Sequence, residues 1–209
     1  MKQLPYIKIE TQTNVSHKRL NTEEDESIHE ESDKESDIDT ESFILDFSYP
    51  SFSNSLIQNI VSTLNAVITQ TELKIKKKKL LPKNDCPFYN ENIPGISIED
   101  YLYRIKKYSK LEDSTLILSL IYIDRVSRDH NILLTKHNIY RICLTAIVIA
   151  IKYNEDSIFS NDFYSKVGGV SNKELNKLES KFMDLIDFKT HVSDKEFYLY
   201  FNYLKNFEE

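Results

Sequence analysis

The segment Thr135–Asp156, TKHNIYRICLTAIVIAIKYNED, decides the fold. At about 100° per residue, Ile139, Ile142, Cys143, Ala146, Ile149, Ala150 and Tyr153 line one face of a helix, while Leu144, Val148 and Ile151 fall on the other. A helix that is apolar nearly all round must be covered nearly all round. The run from Ile142 to Ile151 is well short of the roughly 20 residues a bilayer needs, so other helices must supply the cover. Lys152 then interrupts this surface between Val148 and Ile149 in projection, where a cation is costly unless something pairs with it. That makes Lys152 the first candidate functional residue.

Working outward, 209 residues at 40% hydrophobic give one domain of ordinary size plus an extension. Only three glycines occur, two of them adjacent (Gly168, Gly169), which leaves little turn chemistry for a β-rich chain. The expected fold class is all-α. Cys86 and Cys143 lie far apart without CxxC spacing, and neither a signal peptide nor a transmembrane segment is visible. A reduced intracellular compartment, nucleus or cytoplasm, is therefore expected, with no membrane partner.

The net charge of −6 is unevenly placed, because residues 1–42 hold 12 Asp/Glu against 5 Lys/Arg and the remainder is close to neutral. Rich in Glu, Asp, Ser and Thr, this stretch cannot bury enough apolar surface to offset its ordering entropy, and it reads as a disordered acidic tail. Ser32 and Ser36 precede acidic residues as acid-directed kinases prefer; the other reading is a solvating tail without a switch. The stretch from Phe43 to Phe47 is either a docking segment or the lead-in to the fold.

Pro50 and the Ser/Asn cluster after it open a one-sided amphipathic helix carrying Leu56, Ile57, Ile60, Val61, Leu64, Val67 and Ile68, expected to end near Glu72 or Leu73. The lysine-rich stretch 74–79 reads either as a nuclear-import or phosphate-binding patch or as a solvated helix end. Residues 82–95, with three prolines, form a loop. Ser97 caps a helix that turns Ile98, Tyr101, Leu102, Ile105 and Tyr108 inward. Another runs from Glu112–Ser114 to about Arg128 and sets Asp124 on the face of Leu116, Leu120 and Ile123, where a carboxylate should be paired; Arg104 is the nearest plausible partner. Ser160 caps a short helix closed at Gly168-Gly169. Ser171-Asn-Lys-Glu174 is a capping box opening a helix whose Leu175, Leu178, Phe182, Met183, Leu185 and Ile186 lie within an arc of about 160°. Glu179 projects into the middle of that arc, a second charge inside an apolar stripe. Ser193-Asp-Lys-Glu196 opens a last, aromatic-rich helix.

No catalytic constellation emerges, so the chain does not read as an enzyme. His17, His29, His130, His137 and His191 are scattered, without HExxH or another close-spaced metal set, and no Gly-rich phosphate loop is present. No cofactor and no metal are expected.

Several motifs in order carry a resemblance. Tyr122-Ile-Asp-Arg125, Ala150-Ile-Lys-Tyr153, and Leu178-Glu179 followed by Met183, Ile186 and Phe188 resemble the signatures of a cyclin box, the five-helix domain that activates cyclin-dependent kinases. More narrowly, 96–108, 163–171 and 174–179 are similar to the P/U-type cyclins, the class that includes phosphate-response cyclins. The match spans about 50–207, with a core box of about 97–190 preceded by the extra amphipathic helix. No second box is expected after residue 209. At the second position of the Ala150–Tyr153 motif this chain has Ile151, reading Ala150-Ile-Lys-Tyr where Ala-Ser-Lys-Tyr is usual.

What the resemblance implies is a regulatory subunit of a cyclin-dependent kinase that holds the kinase's PSTAIRE-type helix in its active position. Lys152 and Glu179 fall where cyclins place the lysine and glutamate that meet the kinase, and Ile149, Tyr153, Met183 and Phe188 fall at its apolar contact positions. Arg104 and Asp124 match a structural ion pair bracing the first two box helices. No obligate homo-oligomer is expected. The alternatives weighed are a kinase-independent cyclin-box scaffold in transcription or RNA processing, and a nucleic-acid-binding domain, disfavoured by the near-neutral box and by the absence of aromatics among the lysines.

Overall fold

The computed structural model describes residues 55–78 and 86–206. Among the described residues seven helices follow one another: α1 (Leu56–Lys78), α2 (Ile98–Ser109), α3 (Asp113–Asp129), α4 (Ile139–Asn154), α5 (Asn161–Gly168), α6 (Asn172–Leu185) and α7 (Asp194–Lys205). No strand occurs among the described residues. The protein is all-α. The acidic tail, the segment 43–47 and Lys79 lie outside the described residues.

Helix α4 is the centre. Every residue from Ile142 to Ile151 is buried, with α3 as its main cover, α6 on a second side and α2 in lesser contact. Thr145, a polar residue in this run, is accommodated because its hydroxyl donates to the Arg141 carbonyl one turn back at 2.7 Å. Helix α1 closes the far side by packing on α2 and α7, burying Leu56, Ile57, Ile60, Val61, Leu64 and Ile68. It runs past the expected end near Leu73 to Lys78. Lysine, leucine and isoleucine do not break a helix, and cations suit a C-terminus. Lys74, Lys76 and Lys77 are exposed on this last stretch.

The caps form at the serines that the sequence marks. Ser97, Ser160, Ser171 and Ser193 accept the backbone N–H groups of Asp100, Phe163, Glu174 and Glu196 respectively. The glutamates of the two capping boxes point elsewhere, however. Glu174 takes Arg141 of α4 at 2.5 Å and Glu196 takes Arg125 of α3 at 2.7 Å, because a guanidinium offers a charged donor where the box offers only a neutral amide. At the end of α5, Gly169 adopts φ +72° and closes the helix. A Cβ on its neighbour Gly168 would lie 2.2 Å from Leu144 Cδ2, so a side chain there would have to displace the buried end of Leu144 on α4.

The expected Arg104–Asp124 pair is not made. Arg104 is exposed on α2 and donates to the Lys166 carbonyl of α5 at 3.2 Å. Asp124 is fully buried and accepts the hydroxyl of Tyr200 from α7, with Arg128 of its own helix at 3.5 Å. The reason lies in the packing: α3 turns this face to α7. Burial pushes the Asp124 carboxyl above its ordinary range despite the hydrogen bond from Tyr200, and a neutral phenol is an adequate partner for a group whose charge is disfavoured.

Candidate functional site

Helix α4 leaves the core at Lys152. After ten consecutive buried positions, Lys152, Tyr153 and Asn154 are exposed. Across from them α6 turns Leu175, Leu178 and Phe182 into the core, which puts Glu179 at the rim. Lys152 Nζ and Glu179 Oε1 lie 2.5 Å apart, with the lysine side chain 34% exposed and the glutamate 18%. Each is thus the other's partner across the α4–α6 seam. The second carboxylate oxygen of Glu179 accepts Asn161 Nδ2 of α5 at 2.7 Å.

The last turn of α4 is fastened to the first turn of α3. Glu155 Oε1 accepts the Glu112 N–H at 2.9 Å and the Thr115 hydroxyl at 2.5 Å, while Asn154 Nδ2 donates to Ser114 Oγ at 3.1 Å and Thr115 Oγ1 at 2.9 Å. A carboxylate at a helix N-terminus meets unpaired N–H groups and the positive end of the dipole. This fastening fixes where Lys152 and Tyr153 emerge.

The loop between α6 and α7 completes the surface. Asp187 and Phe188 both adopt the left-handed conformation, with φ +52° and +55°, and Phe188 is left 66% exposed. Such backbone persists only when the surroundings over-determine it. Here Arg125 of α3 donates to the Lys189 carbonyl at 2.7 Å and the His191 carbonyl at 3.0 Å, and Tyr122 donates to the Thr190 carbonyl at 2.7 Å. Tyr153 Oη meets His191 Nδ1 at 3.3 Å, joining the loop to the end of α4. Glu196 holds Arg125 from the other side.

Of the residues singled out from the sequence, Lys152, Tyr153 and Phe188 are exposed and Glu179 and Met183 half-buried. Ile149 is 3% exposed and supports this surface from beneath. Tyr122, Arg125 and Asn161 carry no assigned role in the sequence reading, yet each holds part of the surface in place. For the first two a signal was available, since i and i+3 lie on one helix face. Among the described residues no group of three or more His, Cys, Asp or Glu is gathered where it could hold a metal ion.

Comparison with known proteins bears on this arrangement. The family model described as Cyclin matches residues 54–190. Cyclin-U1-1 of Arabidopsis thaliana is 35% identical over 142 residues, covering 68% of this chain and 68% of that protein. PHO85 cyclin-7 of Saccharomyces cerevisiae is 32% identical over 203 residues, covering 87% of this chain and 69% of its own length. Cyclin-P3-1 of Oryza sativa subsp. japonica is 36% identical over 110 residues, 53% of this chain and 47% of that one. With a helical box closed around α4 and these similarities across its length, the chain belongs to the cyclin family, in its P/U-type branch.

Proposed function

We propose that this cyclin is the regulatory subunit of a cyclin-dependent protein kinase and that the α4–α6 seam, with the loop after α6, is the surface that meets it. The observation that carries the reading is the Lys152–Glu179 pair, assembled at 2.5 Å on the rim of the core; Tyr153 on the last turn of α4 and Phe188 in the loop after α6 add exposed rings. An ammonium has three donors. One serves Glu179, and two remain for carbonyls of a partner, so the pair need not open to bind. Aromatic anchors around a small polar centre are the arrangement in which few residues carry most of an interface's energy. Similarity to a protein named as a PHO85 cyclin supports the same reading.

The mechanism is a population shift. A cyclin that binds only the inward position of the kinase's PSTAIRE-type helix favours the Lys–Glu ion pair that positions the ATP phosphates. The cyclin contributes surface and no chemistry. The test is reconstitution: a kinase co-purified with the chain from native cells is expressed separately, and its activity is measured with and without the cyclin. Activation upon addition is expected. A chain that instead co-purifies with RNA-processing or transcription components and activates no kinase would mark a cyclin-box scaffold.

A further inference from the structure

We infer that Asn161 is a positioning residue for Glu179, an assignment that rests on the kinase-facing surface proposed above. Both protons of its amide nitrogen are committed, to Glu179 Oε2 at 2.7 Å and to Asn176 Oδ1 at 2.7 Å. Turning the amide over would set its carbonyl against two acceptors, so the hydrogen-bond network fixes the orientation. The Asn161 carbonyl oxygen is buried and has no hydrogen-bond partner. A buried acceptor without a partner is destabilising, so what this amide contributes here is its two donors.

The scaffold behind Asn161 is rigid. It is the first residue of α5, whose start is set by the Ser160 cap and whose far end is locked by the contact of Gly168 with Leu144. Tyr164, buried in between, accepts the Phe159 N–H at 3.0 Å. From that fixed point the amide holds one carboxylate oxygen while Lys152 holds the other. A glutamate side chain free to rotate loses rotamer entropy when a partner orders it. Here that ordering is made in the free protein, which raises affinity without a new contact. Being neutral, the amide leaves the carboxylate its charge.

A purely structural pin between α5 and α6 makes a different prediction, and Asn176 separates the two. Asn176→Ala removes the α5–α6 side-chain bond without touching Glu179, whereas Asn161→Ala removes both. Dissociation constants are measured by titrating the full chain with the purified kinase recovered with it, alongside melting curves of each free variant. Asn161→Ala is expected to weaken binding about five- to tenfold, the range of one rotamer-rich side chain left to be ordered on binding. Asn176→Ala is expected to change affinity less than about twofold, within the error of such comparisons. Asn161→Ala combined with Glu179→Ala should bind no worse than Glu179→Ala alone, because Asn161 acts only through Glu179. Equal weakening by Asn176→Ala and Asn161→Ala, or strict additivity with Glu179→Ala, overturns the positioning role. If Glu179→Ala itself leaves affinity unchanged, the kinase-facing surface falls and this role with it. Weakening by Glu179→Ala without any by Asn161→Ala overturns the role of Asn161 alone.

Discussion

Tyr200 donates its hydroxyl to Asp124, a carboxylate 76 residues earlier in the chain and fully buried. The second oxygen of Asp124 is buried without a hydrogen-bond partner. Burial is the largest influence on this carboxyl and raises its proton affinity in the folded state. The folded chain therefore holds this proton to higher pH than the unfolded chain does. Stability from Asp124 is fully present below the unfolded value of about 4 and is lost as pH rises through the folded value. Asp124→Asn cannot ionise and lacks that loss. In urea titrations, the stability of Asp124→Asn relative to wild type should improve from pH 4 to pH 7, and Tyr200→Phe, which removes the bond favouring the charged form, should widen the effect. A wild-type-to-Asn difference that is the same at both pH values would refute the linkage. Arg104→Ala should add to Asp124→Asn with no coupling beyond about 0.5 kcal/mol, since the two residues share no partner.

Arg125 holds the loop that presents Phe188. Its fork reaches two carbonyls of the loop and the carboxylate of Glu196, geometry that a single ammonium cannot reproduce. Arg125→Ala should cost about 2–3 kcal/mol, in the range for hydrogen bonds to a charged group, and Arg125→Lys should recover little of it. The loop should also become accessible: trypsin should cleave after Lys189 faster in both variants while cleavage within α2 stays unchanged. Unaltered cleavage at Lys189 would show that the loop holds its shape without Arg125.

How much of this was legible in the sequence depends on whether a feature is local or tertiary. The helices are announced by period and by the four serine caps, which act within one turn, and Lys152 and Glu179 were visible because a charge inside an apolar stripe violates a local pattern. Their mutual pairing was not visible, because 27 residues separate them and only the packing of α4 on α6 brings them together. The same holds for Asp124: the need for a partner could be read, but Tyr200 rather than Arg104 supplies it, since helix spacing on α3 does not say which neighbour its face meets. Their spacing from serine marks Glu174 and Glu196 as capping-box members, but two distant arginines draw them away. The apolar stripe of α1 fades at Leu73 while its helix propensity does not, so the helix continues to Lys78 beyond the end that the stripe marks. Asn161 gave no signal at all, being one more polar residue at the start of a short helix.

Gly168 tests the packing that fixes α5. A methyl group there overlaps the end of the buried Leu144 side chain, and a tight core accommodates added volume only by displacing side chains or backbone, at about 1–3 kcal/mol. Gly168→Ala should lower the melting temperature accordingly. Combining it with Leu144→Ala should destabilise by less than the sum of the two single changes, because the cavity of one receives the methyl of the other. Additive losses would mean that the contact does not govern the α4–α5 distance.

Lys152 and Glu179 provide the decisive test of the surface. In the free chain they pair with each other at partly exposed positions, where an ion pair typically contributes about 0–1 kcal/mol. Lys152→Ala and Glu179→Ala should each shift the melting temperature by only a few degrees, on the order of 1 kcal/mol for a domain of this size. Their combined effect on folding should be smaller than the sum, since either change alone already breaks the pair. Binding should respond differently. Lys152→Ala removes two free donors along with the bond to Glu179, and Glu179→Ala removes the acceptor held by Lys152 and Asn161. Each should lose at least about 2 kcal/mol of kinase affinity, the threshold of an interface hot spot, equivalent to about a thirtyfold rise in dissociation constant. Tyr153→Ala and Phe188→Ala should weaken binding as well through lost apolar area, whereas Ile149→Ala should act on stability first, because its side chain lies in the core. Kinase titration against the folded variants, with activity measured at saturating cyclin, reads both quantities. Wild-type affinity in Lys152→Ala and Glu179→Ala together would remove this seam from the interface even though the chain remains a cyclin.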